Sequence, residues 1–286
     1  MLRDIKLAYF NGCSFTQGGG LETENDVDWN ERDSNGVEPP LTDGRRDVLK
    51  KYKEKHGIPY WKTRLDMAYP AVFSEMTGIK TVNDSKSGGG IERLIRKTFR
   101  FVTDNWDSRK DMIVFLEVPD YSRLEFYSKK YKDYLLFNYT IGNDNDIEDW
   151  FVCRDYAFRT HNDDNNYFRH SFQGIKDSIL EPKSIIQSLN LKLLNFLSFL
   201  KLNGVRFYIT RDLDYNLIQF PHPMFTEHLV PFGAPYEYAQ KVNGCIKDEI
   251  DIEDVHPGVF GHQKYAKEIV QFLEVDLSYS HIVQPI

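Results

Sequence analysis

Three short, largely apolar runs at positions 5–10, 112–118 and 205–210 recur along this chain of 286 residues, with a further short strand signal at 79–83, and the segments between them carry apolar residues at helical spacing. Runs of this length bounded by turn residues read as strands buried on both faces. Parallel neighbours need a crossover of a dozen or more residues, so the alternation predicts a mainly parallel, doubly wound α/β sheet. The helical patterns lie at 69–77, stopped by Gly78, and from 90 to about 105, with Ile91, Leu94, Ile95, Phe99 and Val102 on one face. Two more lie at 182–203, closed by Asn203-Gly204, and at 258–273.

Two long segments break the alternation. Residues 18–64 are rich in charge, Gly and Pro, and residues 119–181 mix aromatics with Asn and Asp. Each begins where a strand ends, the position of lids and binding elements. The expected organisation is a single domain over 1–277 carrying both insertions, with a tail at 278–286 that either frays or packs on a partner subunit.

Composition narrows the function classes. A net charge of −7, from 36 basic and 43 acidic residues, leaves no electrostatic footprint for a phosphate backbone, so nucleic acid is not an expected partner. Cys13, Cys153 and Cys245 form neither a disulfide framework nor a zinc-ligand spacing. Residues 1–5 lack the apolar core of a signal peptide and no stretch approaches a membrane span, so the expectation is a soluble protein without a membrane partner.

The first strand runs into Asn11-Gly12-Cys13-Ser14-Phe15-Thr16. Open α/β sheets place their reacting groups outside the carboxyl ends of the strands, and Ser14 stands at such an end. Near the other end, Glu253-Asp254-Val255-His256-Pro257-Gly258 supplies a histidine and adjacent acids just before an amphipathic helix. Serine early with acid and histidine late forms a candidate acyl-transfer set. Taken alone, Ser14 is more often a helix cap or turn residue than a nucleophile, and His256 more often a surface or capping histidine. His262 reads as a residue on the helix face near the site. Cys13 reads as a small buried filler, and no fourth ligand supports a metal at Asp254, His256 and His262.

These blocks together resemble the SGNH or GDSL-type serine esterases and lipases. Gly12-Cys13-Ser14-Phe15-Thr16 is similar to the family's first block, with Cys13 in place of the usual Asp. Asn83-Asp84-Ser85-Lys86-Ser87-Gly88 is similar to the second, and Glu253-Asp254-Val255-His256-Pro257 to the fifth. The resemblance implies a three-layer α/β/α flavodoxin-like fold and no cofactor. It implies Ser14 as nucleophile, His256 as base, Asp254 or Glu253 as the orienting acid, and the Ser14 and Gly88 amides as oxyanion donors. The implied reaction is two-step hydrolysis of an ester, and the aromatic, Asn- and Asp-rich insertions suit an O-acetyl group on a carbohydrate.

One block departs from the pattern. Where the family carries Gly-x-Asn-Asp, this chain has Glu117-Val118-Pro119-Asp120-Tyr121-Ser122-Arg123. Losing an oxyanion donor typically costs roughly 10²–10³ in rate, so another group must stand in. Arg123, Ser122 or a residue of the insertions could fill that place, and Tyr121, Ser122 and Arg123 are the candidates for substrate binding. The Pro119-to-Glu125 stretch is also similar to phage-encoded relatives, which would make the chain cytoplasmic or virion-associated, with a second copy or a virion component as partner. The alternative from another class is a catalytically weak binding or structural module on the same scaffold, which the missing Asn favours. Retention of Ser14, Gly88 and His256 together favours the enzyme. A nucleotide-binding reading of Gly88-Gly89-Gly90 lacks the full glycine fingerprint.

Overall fold

The computed structural model describes residues 2–18, 21, 54–55, 57, 63–86, 89–119, 123–128, 133–138, 150–153, 182–210, 223–249 and 256–280. Seven strands occur among them: β1 (Leu7–Asn11), β2 (Lys80–Asn83), β3 (Met112–Glu117), β4 (Arg123–Ser128), β5 (Asp133–Asn138), β6 (Trp150–Cys153) and β7 (Arg206–Thr210). The central sheet has the order β2-β1-β3-β7, parallel throughout. The chain reverses its winding direction beside β1, which makes the crevice above the carboxyl ends of β1 and β3 the natural place for a ligand.

The helices described are α1 (Ser14–Gln17), α2 (Arg64–Met67), α3 (Tyr69–Thr77), α4 (Ile91–Asp104), α5 (Pro182–Leu202), α6 (Pro235–Lys241), α7 (Ile246–Glu249) and α8 (Val259–Ser280). Strand residues alternate between two cores, as the two-residue period of a pleated strand requires. Tyr9, Met112, Val114, Leu116, Phe207 and Ile209 point to one face, where Leu94 and Val102 of α4 and Leu193, Leu197 and Leu200 of α5 cover them. Ala8, Phe10, Ile113, Phe115 and Tyr208 point to the other, against Tyr69 and Phe73 of α3 and Tyr265, Ile269 and Leu273 of α8. The result is a doubly wound α/β/α arrangement, with every residue of β3 buried.

Element ends follow local chemistry. Gly78 caps α3 in the left-handed region at φ 71° and returns its amide to Ser74, a conformation glycine takes without a Cβ penalty. The final helix runs on to Ser280, beyond the 273 at which the sequence pattern ends.

Part of the 119–181 insertion is regular. β4, β5 and β6 form an antiparallel sheet of their own. It is tied to α4 by Arg96 to Glu125 (2.8 Å) and by the Glu125 amide donating to Glu92 (3.1 Å). Leu124 joins the core that α4 and α5 cover. No helix among the described residues is long and apolar enough to cross a membrane. No group of His, Cys, Asp and Glu among them is arranged to hold a metal ion.

Candidate active site

Ser14 is the first residue of α1, directly above the carboxyl end of β1. The next residue, Phe15, stacks on Tyr236 of α6 (ring centroids 5.2 Å apart) and packs against the His256 ring (5.1 Å). The His256 segment is held on both sides of that contact. Ile246 donates to the His256 carbonyl (2.8 Å) and Gly258 to the Gly244 carbonyl (2.8 Å). A Cβ on Gly261 would lie 2.3 Å from the Gly244 oxygen, so two glycines permit this approach. The half-buried His256 is thereby fixed beside the turn that carries Ser14.

The second block lies against the same turn. Asp84 donates its amide to Phe10 (2.9 Å) and Lys86 to Gly12 (3.2 Å), while the Asn83 side chain donates to the Thr16 carbonyl (3.0 Å). Arg93 of α4, nearly wholly buried, fastens both loops from below. Its Nη1 donates to Asn11 Oδ1 (3.2 Å) and to the Asp84 carbonyl (2.7 Å), and its Nη2 pairs with Asp84 Oδ1 (3.4 Å). Asn11 completes the clamp by donating to Leu94 O (3.1 Å) and Thr98 Oγ1 (2.9 Å).

From β3, the buried Glu117 carboxylate reaches the underside of the Ser14 turn. It accepts the amides of Cys13 (3.1 Å) and Thr16 (3.2 Å) and the Thr16 hydroxyl, and it lies 3.1 Å from the Cys13 thiol. Burial, with the Glu117 charge beside it, pushes that thiol up to about 12, while the Arg123 cation acts in the opposite sense. The guanidinium of Arg123, the first residue of β4, is therefore within electrostatic reach of the turn. Cys13 is a protonated, buried thiol, and the thiolate is the species that reacts. In native protein Cys13 is expected to resist iodoacetamide for hours at neutral pH and to be modified in urea. Rapid native labelling, located by peptide mapping, would contradict this.

His262 departs from its expected place on the helix face: it is wholly buried, and its Nδ1 accepts the Tyr69 amide at 3.2 Å. The accepting Nδ1 leaves the proton on Nε2 in the neutral ring. Burial, with His256 nearby acting in the same sense, pushes the imidazole down to about 3. Between about 3 and 6.5 the unfolded chain takes up a proton that the native state refuses. This group therefore lowers stability as the solution is acidified through that window, by at most about 1.4 kcal/mol per pH unit, and has no effect above it. Urea midpoints at about pH 4.5 and 7.5 are expected to differ less in His262→Gln than in the parent chain. An equal difference in both proteins would refute the assignment.

Among the expected site residues, then, the fold brings together the turn of Ser14, the ring of His256 and the charge of Arg123. Gly88, Tyr121, Ser122, Glu253 and Asp254 lie outside the described residues. Asn11, Arg93 and Glu117 were missed as site residues by motif reading. The one sequence signal was a charged residue closing the apolar strand 112–116.

No protein-family model matches the chain, and no curated protein sequence matches it. Among solved structures it is similar to an acetyl xylan esterase from the rumen bacterium Butyrivibrio proteoclasticus, at 12% identity and a TM-score of 0.44 over 96% of this chain. The match spans 65% of that protein's length. It is also similar to a psychrotrophic esterase from Pseudoalteromonas sp., at 9% identity and a TM-score of 0.38 over 96% of this chain and 99% of the other. A carbohydrate esterase matches at 14% identity and a TM-score of 0.42, over 94% of this chain and 64% of its own.

Proposed function

We propose that this protein is a serine esterase of the SGNH type, with Ser14 as nucleophile and His256 as base. The observation that carries the reading is the packing of the His256 ring on Phe15, 5.1 Å between centroids, at the carboxyl edge of the parallel sheet. It joins the beginning and the end of the chain where an acyl-transfer set needs them joined. Asp254 or Glu253 is the acid that orients the imidazole and stabilises the imidazolium.

In the proposed reaction Ser14 Oγ attacks the ester carbonyl as His256 takes its proton, and the imidazolium then protonates the departing alcohol. Water, activated by the same ring, cleaves the acyl-enzyme and regenerates Ser14. The Ser14 and Gly88 amides hold the oxyanion, and Arg123, whose backbone packs against Gly90 at the end of the second loop, stands in for the missing third donor. The substrate is an ester of a carbohydrate, an O-acetyl group foremost. The aromatic and amide-rich insertions support this, as does Tyr127, 56% exposed on the strand that starts at Arg123.

A second reading, a glycan- or protein-binding module that has lost turnover, draws on Pro119, which occupies the position of the family's oxyanion Asn. Reaction with a fluorophosphonate probe followed by peptide mapping separates the two. Labelling confined to Ser14, together with turnover of acetyl esters in a panel of acyl lengths, is the expected result. A folded, unlabelled protein without turnover would favour the binding module.

A further inference from the structure

Helix α1 starts with only a weak cap of its own. Gln17 donates its amide to the Cys13 carbonyl (3.1 Å), which makes Cys13 the N-cap residue. Ser, Thr, Asp or Asn normally fills that position, with a side-chain oxygen that accepts the amide two or three residues on. Cys13 offers the Phe15 amide only its sulfur, and a thiol is a weak acceptor.

The acceptor comes instead from a strand a hundred residues away. Glu117 Oε2 takes the Thr16 amide that an N-cap side chain would take, and the Cys13 amide as well. Thr16 Oγ1 donates its single proton to the same oxygen. The Tyr69 hydroxyl, 3.1 Å from Thr16 Oγ1, must therefore donate to it. Gly12 completes the fit, because a Cβ there would lie 2.5 Å from Glu117 Oε2. One carboxylate thus holds the residues on either side of positions 14 and 15.

We infer that Glu117 is a positioning residue for Ser14, supplying from β3 the strong acceptor that the Cys13 thiol cannot be and thereby fixing the turn that carries the nucleophile. For the identity of the nucleophile this rests on the esterase reading; for the cap it rests on geometry alone. It also explains how the turn tolerates cysteine next to Ser14. A carboxylate at position 13 would reach the space that Glu117 fills, because Sγ already lies 3.1 Å from Glu117 Oε1.

The test compares Glu117→Gln and the double variant Cys13→Asp/Glu117→Ala with the parent full-length chain. The readouts are the rate of fluorophosphonate labelling at Ser14, kcat and KM on an aryl acetate, thermal midpoint, and hydrogen exchange at the Cys13 and Thr16 amides. Glu117→Gln sets an amide NH2 against the donors. It is expected to slow labelling and kcat by about 30-fold or more with KM within about threefold, and to raise exchange at both amides. The double variant is expected to return labelling to within about threefold of the parent and to protect Thr16 again.

Labelling at the parental rate in Glu117→Gln would overturn the inference. So would a double variant that regains its midpoint and Thr16 protection but not its labelling rate, since the carboxylate would then be structural only. If Glu117→Gln does not fold, the double variant decides alone by the same criterion. A parent chain that is never labelled, with amide exchange changing as expected, would sink the esterase reading and the positioning role together and leave the cap standing.

Discussion

Ser14→Ala and His256→Ala are each expected to lower kcat for ester hydrolysis by a similar factor, on the order of 10⁴ or more, and the double variant is expected to be no slower than either. A nucleophile and the base that takes its proton act as one unit, so removing the second member of a broken pair costs nothing further. Both variants should fold. In His256→Ala, Phe15 keeps its stacking partner Tyr236, and the hydrogen bonds that pin the segment at Ile246 and Gly258 are backbone to backbone. Multiplicative losses in the double variant would mean that the two residues act independently, and a His256→Ala enzyme within tenfold of the parent would place the base elsewhere.

The second large effect concerns the fold beneath the site. Gly90→Ala is expected to destabilise the protein by about 3 kcal/mol or more. Gly90 has an ordinary extended backbone, φ −97° and ψ 175°, as the residue before α4, so conformational strain is not the cause. The cause is proximity: an added Cβ would meet the Arg123 carbonyl oxygen at 2.2 Å and its carbonyl carbon at 3.0 Å. Backbone atoms cannot swing aside as a side chain can, so β4 would have to move off α4 and draw Arg123 with it. Gly78→Ala is the control. It sits at φ 71° with nothing within 4 Å and should cost only about 1 kcal/mol. Chemical denaturation that ranks the two in the opposite order would refute the contact argument.

Three strands of the parallel sheet, β1, β3 and β7, were legible because they are buried on both faces and appear in sequence as largely apolar runs, whereas the edge strand β2 is exposed to half-buried and carries only Val82 as an apolar residue. Met112 to Leu116 is the clearest, with every residue inside. β4 to β6 were hidden because Arg123 and Glu125 alternate with Leu124 and Phe126 in a stretch crowded with Asn, Asp and Tyr. The turn of Ser14 and the segment of His256 were legible as local motifs. Glu117 and Arg93 were not, because their meaning lies in partners 104 and 82 positions away. Arg93 also defeats the usual expectation that a helix turns its charges outward, since it has Asn11 and Asp84 to satisfy it inside. His262 was misplaced for the same reason, its acceptor being used by an amide from a distant helix.

Arg93 ties Asn11, at the foot of the first loop, to Asp84, at the foot of the second, through one buried guanidinium. The two loops are therefore not separately exchangeable parts. Transplanting the Ser14 turn into another α/β scaffold without Asn11, Asp84 and Arg93 would carry over the sequence of the motif and lose the mutual distance on which it depends. In a diverging lineage these three residues should be replaced together or kept together.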